Sequence, residues 1–248
     1  MNSKTIGIVG CGVVGGVLVN WLKKNTNHRV LISDPAKGFS DNLSPCDIIF
    51  INIHIPTMQD GSQNLSDIEH IIEQLPNVPI YIRTTILPGT SEYLSEKYRK
   101  SVYFMPEFLT ERSAQKDFNK QTLVYTGHIK LLKSVFKGRQ YIYISSKEAE
   151  VAKYAHNVFG ALKVTYFNVI YDICKKEHLD YKKVLKAVLL SGYINSIHTQ
   201  VPGPDGHLGY GGKCFPKDVS AFKKYIKSNI FSDALDTIEK LNQAYRLK

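Results

Sequence analysis

One short glycine turn constrains the fold of this chain more than any other feature. Thr5 to Val9 is an apolar run of strand length, Gly10-Cys11-Gly12-Val13-Val14-Gly15 follows at once, and Val14 to Lys23 has helical spacing. Glycines let a backbone turn sharply between strand and helix and approach a ligand closely. The free amides and positive end of the helix then favour the negative charge of a diphosphate. The next apolar run, Val30 to Ser33, ends at Asp34. A carboxylate there can accept hydrogen bonds from ribose hydroxyls and would repel a 2′-phosphate. Gly10, Cys11, Gly12, Val13, Val14, Gly15 and Asp34 are therefore expected to hold a dinucleotide, NAD rather than NADP, with Cys11 a small filler in the loop.

The rest of the first half keeps the alternation. Ile48 to Ile53 is apolar on both faces, as a central parallel strand must be, and Ser66 with Glu69 has the spacing of a capping box ahead of a helix. Ile80 to Thr85 and Val102 to Met105 add strands with a helix after Gly89 between them, and Thr122 to Tyr125 and Tyr141 to Ile144 are expected to finish the sheet. The pattern changes near Ser145. Ser145 and Glu148 form another capping box, and Val151, Ala155, Val158, Leu162, Tyr166, Val169 and Ile173 recur at spacings of three and four, predicting a long amphipathic helix. Asp180 caps a further helix to about Leu190, a glycine-rich loop spans Ser191 to Lys213, and two more helices follow Pro216. The expected fold is α/β: a Rossmann-type doubly wound parallel sheet over 1–145, then an all-α domain with a long central helix over 146–248.

Composition narrows the function classes. The net charge of +10 invites a nucleic-acid reading, yet pairs such as Lys23-Lys24, Lys175-Lys176, Lys182-Lys183 and Lys223-Lys224 are scattered over several helices with no reading module. No apolar stretch reaches the roughly 18 residues of a membrane helix, and no cleavable leader pattern opens the chain, so a cytoplasmic protein is expected. Cys11, Cys46, Cys174 and Cys214 form neither a CxxC pair nor a framework spacing. Free thiols are expected, with neither disulfides nor a metal site.

Gly209-Tyr-Gly-Gly-Lys-Cys214-Phe-Pro-Lys217-Asp218 is the most informative segment for chemistry. Pro216 suits the start of a helix, which sets Cys214 just ahead of a positive helix end with Lys213 and Lys217 beside it. Such a setting favours a thiolate nucleophile, while Cys174, inside a helix, reads as a buried small residue. Local features alone leave a nucleophile and a cysteine packed under a loop equally open at Cys214.

This segment resembles the cysteine motif of the UDP-glucose and GDP-mannose dehydrogenases, and other segments agree with that family in order. Thr84-Thr85-Ile86-Leu87-Pro88-Gly89-Thr90 resembles its STVxPGT segment, Pro106-Glu107-Phe108-Leu109-Thr110-Glu111 its PEFLRE segment, and Glu148-Ala149-Glu150-Val151-Ala152-Lys153 with Asn157 its EAE-x-x-K-x-x-x-N helix. With the glycine turn these segments span nearly the whole chain.

The resemblance implies two successive hydride transfers to NAD that convert the primary alcohol of a nucleotide sugar to a carboxylate. By the same resemblance Cys214 would trap the aldehyde as a thiohemiacetal that is oxidised to a thioester. Lys153 and Asn157, one helical turn apart, would meet a developing oxyanion. Glu107 would assist thioester hydrolysis as acid or base, Asp218 would orient the water or take a proton, and Thr85 would hold that water. Lys37, Thr57, Thr85, Glu111 and Lys217 match positions near NAD. Glu107, Phe108, Leu109, Lys153, Asn157, Gly203, His207 and Gly211 match positions near the sugar. Each also has a plainer reading as a helix-face, strand or surface residue, and their joint occurrence with Cys214 sets that aside.

Two departures bear on the substrate. The family continues into another nucleotide-binding domain, which this sequence is expected to lack, and Ser191 to Gly212 contains no Arg or Lys where the family has an arginine. His198 and His207 are the basic residues there. The substrate could therefore be a nucleotide sugar or a smaller alcohol. Two alternatives remain open at this point: a two-electron dehydrogenase of β-hydroxyacid type, and a non-catalytic NAD-binding protein. The apolar stripe of the long helix, and the pairing habit of the family, lead to the expectation of a homodimer.

Overall fold

In the computed structural model, which describes residues 3–227 and 229–248, six strands form one sheet. They are β1 (Thr5–Val9), β2 (Arg29–Asp34), β3 (Phe39–Ser40), β4 (Ile48–Ile51), β5 (Ile80–Ile82) and β6 (Val102–Phe104), in the order β3-β2-β1-β4-β5-β6. All neighbours are parallel except β3, a two-residue antiparallel edge beside β2. The order reverses between β1 and β4. Open α/β sheets bind ligands beyond the carboxyl ends of the strands at such a point.

Alternation of side chains across the pleat explains why both faces must be covered. Ile48, Phe50 and Tyr81 pack on one side with α1 (Val13–Asn25) and on the other Ile49, Ile51, Ile80 and Ile82 pack with α2 (Ser66–Gln74) and α3 (Thr90–Tyr98). Two short helices, α4 (Ala114–Lys120) and α5 (Ile129–Val135), complete the first side. This is the doubly wound, Rossmann-type arrangement read from the sequence.

Two local expectations are corrected. β7 (Leu123–Tyr125) and β8 (Tyr141–Tyr143) do not finish the sheet; they pair with each other as a separate parallel two-stranded sheet. The free edge of β6 is closed by hydroxyls instead: Phe104 N–H donates to Ser146 Oγ at 3.2 Å, and Thr126 Oγ1 donates to Phe104 O at 2.8 Å. The Ser66–Glu69 capping box does not form either. The side chain of Asn64 accepts from Ser66 N at 3.0 Å, and Glu69 turns to Lys97 and Tyr93. The Ser145–Glu148 box does form, with bonds of 2.7 and 3.2 Å.

The chain divides into two compact units, Met1–Pro56 with Gln63–Lys153, and Thr57–Ser62 with Tyr154–Lys248. The second unit holds most of α6 (Ser146–Lys176), together with α7 (Tyr181–Leu189), α8 (Phe215–Ile226) and α9 (Ile230–Arg246). Asp180 caps α7 by accepting from Lys182 N, and Asn229 and Ser232 form a reciprocal capping box on α9. Among the described residues no helix is long and apolar enough to cross a membrane.

Candidate active site

The glycine turn is built as its sequence requires. Gly10 adopts φ +80°, and a Cβ there would lie 2.8 Å from Asn52 O; one at Gly15 would lie 2.0 Å from Gly10 O. Side chains at either position would push α1 off the sheet. A Cβ on Gly12 meets nothing within 4 Å, and Gly12 caps α1 with no side-chain bond and no acidic residue in the first turn. A methyl at Gly12 would project into the cradle that a diphosphate needs, so the residues fit an anionic dinucleotide. Asp34 sits at the end of β2 with its Oδ2 accepting from Cys11 N at 2.7 Å, while Lys37 Nζ donates to Cys11 O at 2.7 Å. Gly12, Val13 and Glu111 share the wall of a cavity of about 640 Å³ with Arg112 and Lys116.

Also in the first unit, Lys153 and Glu107 come together. Lys153 Nζ lies 2.9 Å from Glu107 Oε1 and also donates to the Glu107 carbonyl, and the two side chains are 5% and 11% exposed. Glu107 Oε2 accepts from Leu109 N at 2.8 Å. Burial pushes the Glu107 carboxyl up, but the Lys153 charge and hydrogen bond, the Leu109 amide and the Arg83 charge outweigh it and hold the group below the usual carboxylate range. Glu107 is thus an ionised carboxylate at neutral pH. Lys153 also lies 5.5 Å from the Phe108 ring centroid.

Thr85 is buried on a loop that Gln63 holds, donating to Thr85 O at 3.1 Å and accepting from Leu87 N at 3.0 Å. Glu150 continues the support. Its carboxylate accepts from Gly89 N at 2.6 Å and Ser91 N at 3.0 Å, capping α3, and burial raises its pKa above the ordinary value. Sequence reasoning assigned Gln63 and Glu150 no role of their own, because their partners are far away along the chain.

In the second unit Asp218 is 1% exposed and bonded on both oxygens. Lys217 donates to Oδ1, and Asn157 Nδ2 donates to Oδ2 at 2.6 Å. Thr57 Oγ1 reaches Lys217 O at 3.4 Å, which places both cofactor-side candidates of this unit together. His156 lies 2.9 Å from Asn157 Oδ1 through its Nδ1. Cys214 is exposed and is the N-cap of α8, with Pro216 in the first turn.

The glycine-rich loop before Cys214 is pinned by amides that the sequence did not flag. Asn168 Oδ1 accepts from Gly209 N at 3.0 Å, and Asn242 bonds both Tyr210 N and Tyr210 O, at 2.6 and 2.9 Å. Gly203 and His207 close a turn through Gly203 N to His207 O at 2.8 Å, and His207 lines a cavity of about 690 Å³ with Tyr171, Lys175 and Lys248 whose walls do not include Cys214. A Cβ on Gly211 would lie 2.8 Å from the Arg246 guanidinium. His198, half-buried, packs edge-on against Phe215 at 5.0 Å; burial, then the charges of His156 and Lys163, lowers its pKa. Among the described residues no group of three His, Cys, Asp or Glu stands ready to hold a metal.

A dinucleotide-type sheet followed by a helical unit carrying buried Asn and Asp beside an exposed cysteine is an arrangement with known relatives. Residues 147–244 match the UDP-glucose/GDP-mannose dehydrogenase family, central domain. It is 27% identical to a UDP-glucose 6-dehydrogenase of Rickettsia bellii over 98% of this chain and 67% of the relative, and 30% identical to the UDP-glucose 6-dehydrogenase YwqF of Bacillus subtilis over 89% and 53%. A UDP-glucose dehydrogenase structure from Pyrobaculum islandicum shares the fold, with a TM-score of 0.82 at 24% identity, over 98% of this chain and 68% of that one. The chain spans between 45% and 67% of the length of the curated relatives.

Proposed function

We propose that the protein oxidises the primary alcohol of a nucleotide sugar to a carboxylate with NAD as the acceptor. NAD, when bound, accepts a hydride at each of two oxidation steps, and the glycine turn, Asp34 and Lys37 hold it, with Thr57, Glu111 and Lys217 as further contacts. The buried Lys153–Glu107 pair carries this reading, because an ammonium and an ionised carboxylate kept out of water are costly to bury and are retained where charge develops.

The residues divide the work by their chemistry. Lys153 and Asn157, on successive turns of α6, donate to the alkoxide and later to the tetrahedral oxyanion. The Cys214 thiolate adds to the aldehyde carbon to give a thiohemiacetal alkoxide, which Lys153 and Asn157 stabilise, and loss of a hydride from that alkoxide gives the thioester. Water attacks the thioester, Glu107 takes its proton, and the thiol leaves as the acid forms. Glu107 is kept ionised and is held in place by Lys153 and the Leu109 amide, which positions it to accept a proton even though its lowered pKa weakens it as a base. Asp218, locked between Lys217 and Asn157, orients Asn157, and Thr85 holds the water. Phe108, Leu109, Gly203, His207 and Gly211 contact the sugar. The protein works as a cytoplasmic homodimer, a state supported by the exposed apolar residues along α6: Phe159 is 65% exposed, Tyr166 58% and Ile173 50%.

NADH formed per substrate consumed, measured across a panel of nucleotide sugars, tests this directly. Two per molecule, with turnover lost in Cys214→Ala, is expected. One per molecule with turnover kept in that variant is the result of a two-electron dehydrogenase, and NAD binding without turnover of any sugar is that of a binding protein.

A further inference from the structure

We infer that the buried guanidinium of Arg83 is a counter-charge for the diphosphate of the bound dinucleotide, an inference that rests on the NAD reading above. Arg83 directly follows β5, at the carboxyl edge of the sheet where ligands of open α/β folds lie. It is 1% exposed. Nη1 faces Val14 O and Asn52 Oδ1 at 3.4 Å each, the long end of a hydrogen bond, and neither Nε nor Nη2 has a partner. The guanidinium carbon stands 5.5 Å from the Phe118 ring centroid.

Burial brings the pKa of Arg83 down to about 10, which leaves it charged at neutral pH. A cation in such a place is unfavourable unless an anion meets it. Glu107 is the carboxylate whose charge acts on it, but both Glu107 oxygens are already bonded, to Lys153 and to the Leu109 amide. The contrast with Arg139 is instructive. Arg139 lies on the same Phe118 ring, at 5.0 Å, yet spends its Nη2 on Phe118 O and Gln121 O. Arg139 ties chain segments together and leaves only Nη1 buried without a partner, whereas Arg83 makes only two long contacts through Nη1 and leaves both Nε and Nη2 without one.

Its neighbours identify the missing partner. Val14 belongs to the first turn of α1, whose amides have no side-chain cap, and the Asn52 carbonyl lies against Gly10. The guanidinium therefore stands behind the glycine turn, on the protein side of the surface that a diphosphate would occupy. A doubly negative group there supplies the charge that Arg83 lacks, through a medium of low dielectric in which the attraction is strong. The residue accordingly weakens the empty protein and strengthens the loaded one.

Calorimetric titration of the purified wild type, Arg83→Met and Arg83→Lys with NAD and with ADP-ribose tests this, together with the melting temperature of each protein without ligand. Arg83→Gln replaces the methionine variant if that one does not fold. In the neutral variant the affinity for NAD and for ADP-ribose is expected to fall equally, by about ten- to a hundredfold. Its ligand-free melting temperature is expected to rise by roughly 2–4 °C, and Arg83→Lys to keep most of the affinity. Undiminished binding in the neutral variant, or a lower melting temperature with unchanged binding, overturns the inference and makes Arg83 a packing residue. A loss for NAD alone moves the partner to the nicotinamide end and overturns it equally. A wild type that binds neither ligand overturns the dinucleotide reading beneath it.

Discussion

The strands of the first unit's sheet bury apolar side chains, whereas helix α6 buries charged and polar side chains alongside apolar ones. β4 is Ile48-Ile49-Phe50-Ile51 and all four are 0% exposed, so burial and apolarity coincide. Along α6 the polar residues Glu150, Lys153, Asn157, Thr165 and Asn168 are buried beside the apolar Ala149, Tyr154, Val158 and Phe167, while Val151, Phe159, Tyr166 and Ile173 stand exposed. The sheet is organised by transfer of apolar surface out of water. The helix adds to its apolar contacts a row of hydrogen bonds and charges that must be satisfied in place, and part of its apolar stripe is left outward.

If that contrast is right, α6 tolerates loss of its exposed apolar residues and fails on loss of its buried polar ones. The largest effect is expected at Lys153→Ala. It strands the Glu107 carboxylate without its ammonium and costs about 3–5 kcal/mol in chemical denaturation, besides abolishing turnover. The double variant Glu107→Gln/Lys153→Met, which removes both charges of the pair, should recover part of the stability and none of the activity. A stability loss as small as that of a surface substitution would erase the contrast.

Glu150→Ala comes next. Removing the acceptor of the Gly89 and Ser91 amides is expected to cost about 1–3 kcal/mol, with faster hydrogen exchange confined to the start of α3. The two buried carboxylates also differ in pH response. The folded-state pKa of Glu107 is lowered, so its stabilisation is full above the ordinary carboxylate range and is lost as pH falls through the folded value. That of Glu150 is raised, so its contribution is full at low pH and shrinks as pH rises through its folded value. Glu107→Gln should therefore flatten the acid side of the melting-temperature profile, and Glu150→Gln should not.

The reading of the chain succeeded where local pattern and burial agree. Ile48 to Ile51, the glycine turn and the Ser145–Glu148 box are all visible within a few residues, and all three form. Expectation failed where the deciding partner lies far along the chain. Nothing near β6 announces that the hydroxyls of Thr126 and Ser146 close its edge, and nothing near Ser66 announces that Glu69 turns away to Tyr93 and Lys97, 24 and 28 residues on. Arg83, inside the run from Ile80 to Thr85, drew no assignment from the sequence, because its burial depends on contacts with Val14 of α1 and Phe118 of α4, both far away along the chain. Lys153 and Glu107 were both singled out, but spacing alone could not pair residues 46 positions apart.

Smaller effects sharpen the same comparison. Phe159→Ser, on the exposed stripe, should change folding stability by less than about 0.5 kcal/mol while halving the mass seen by light scattering. A stable, full-mass variant would place the dimer contact elsewhere. Among the thiols, exposed Cys214 is expected to alkylate before buried Cys174 and Cys46, the latter pushed up to about 11 by burial. Peptide mapping after brief iodoacetamide treatment reads that order.

The central claim is that Cys214 carries the substrate as a thioester, and intact-protein mass spectrometry reads it most directly. In Glu107→Gln, where water is no longer activated, turnover with NAD and an accepted nucleotide sugar should load the protein with one acyl group, which peptide mapping places on Cys214. An unmodified Cys214 under those conditions, with acid still formed by Cys214→Ala, would contradict the account.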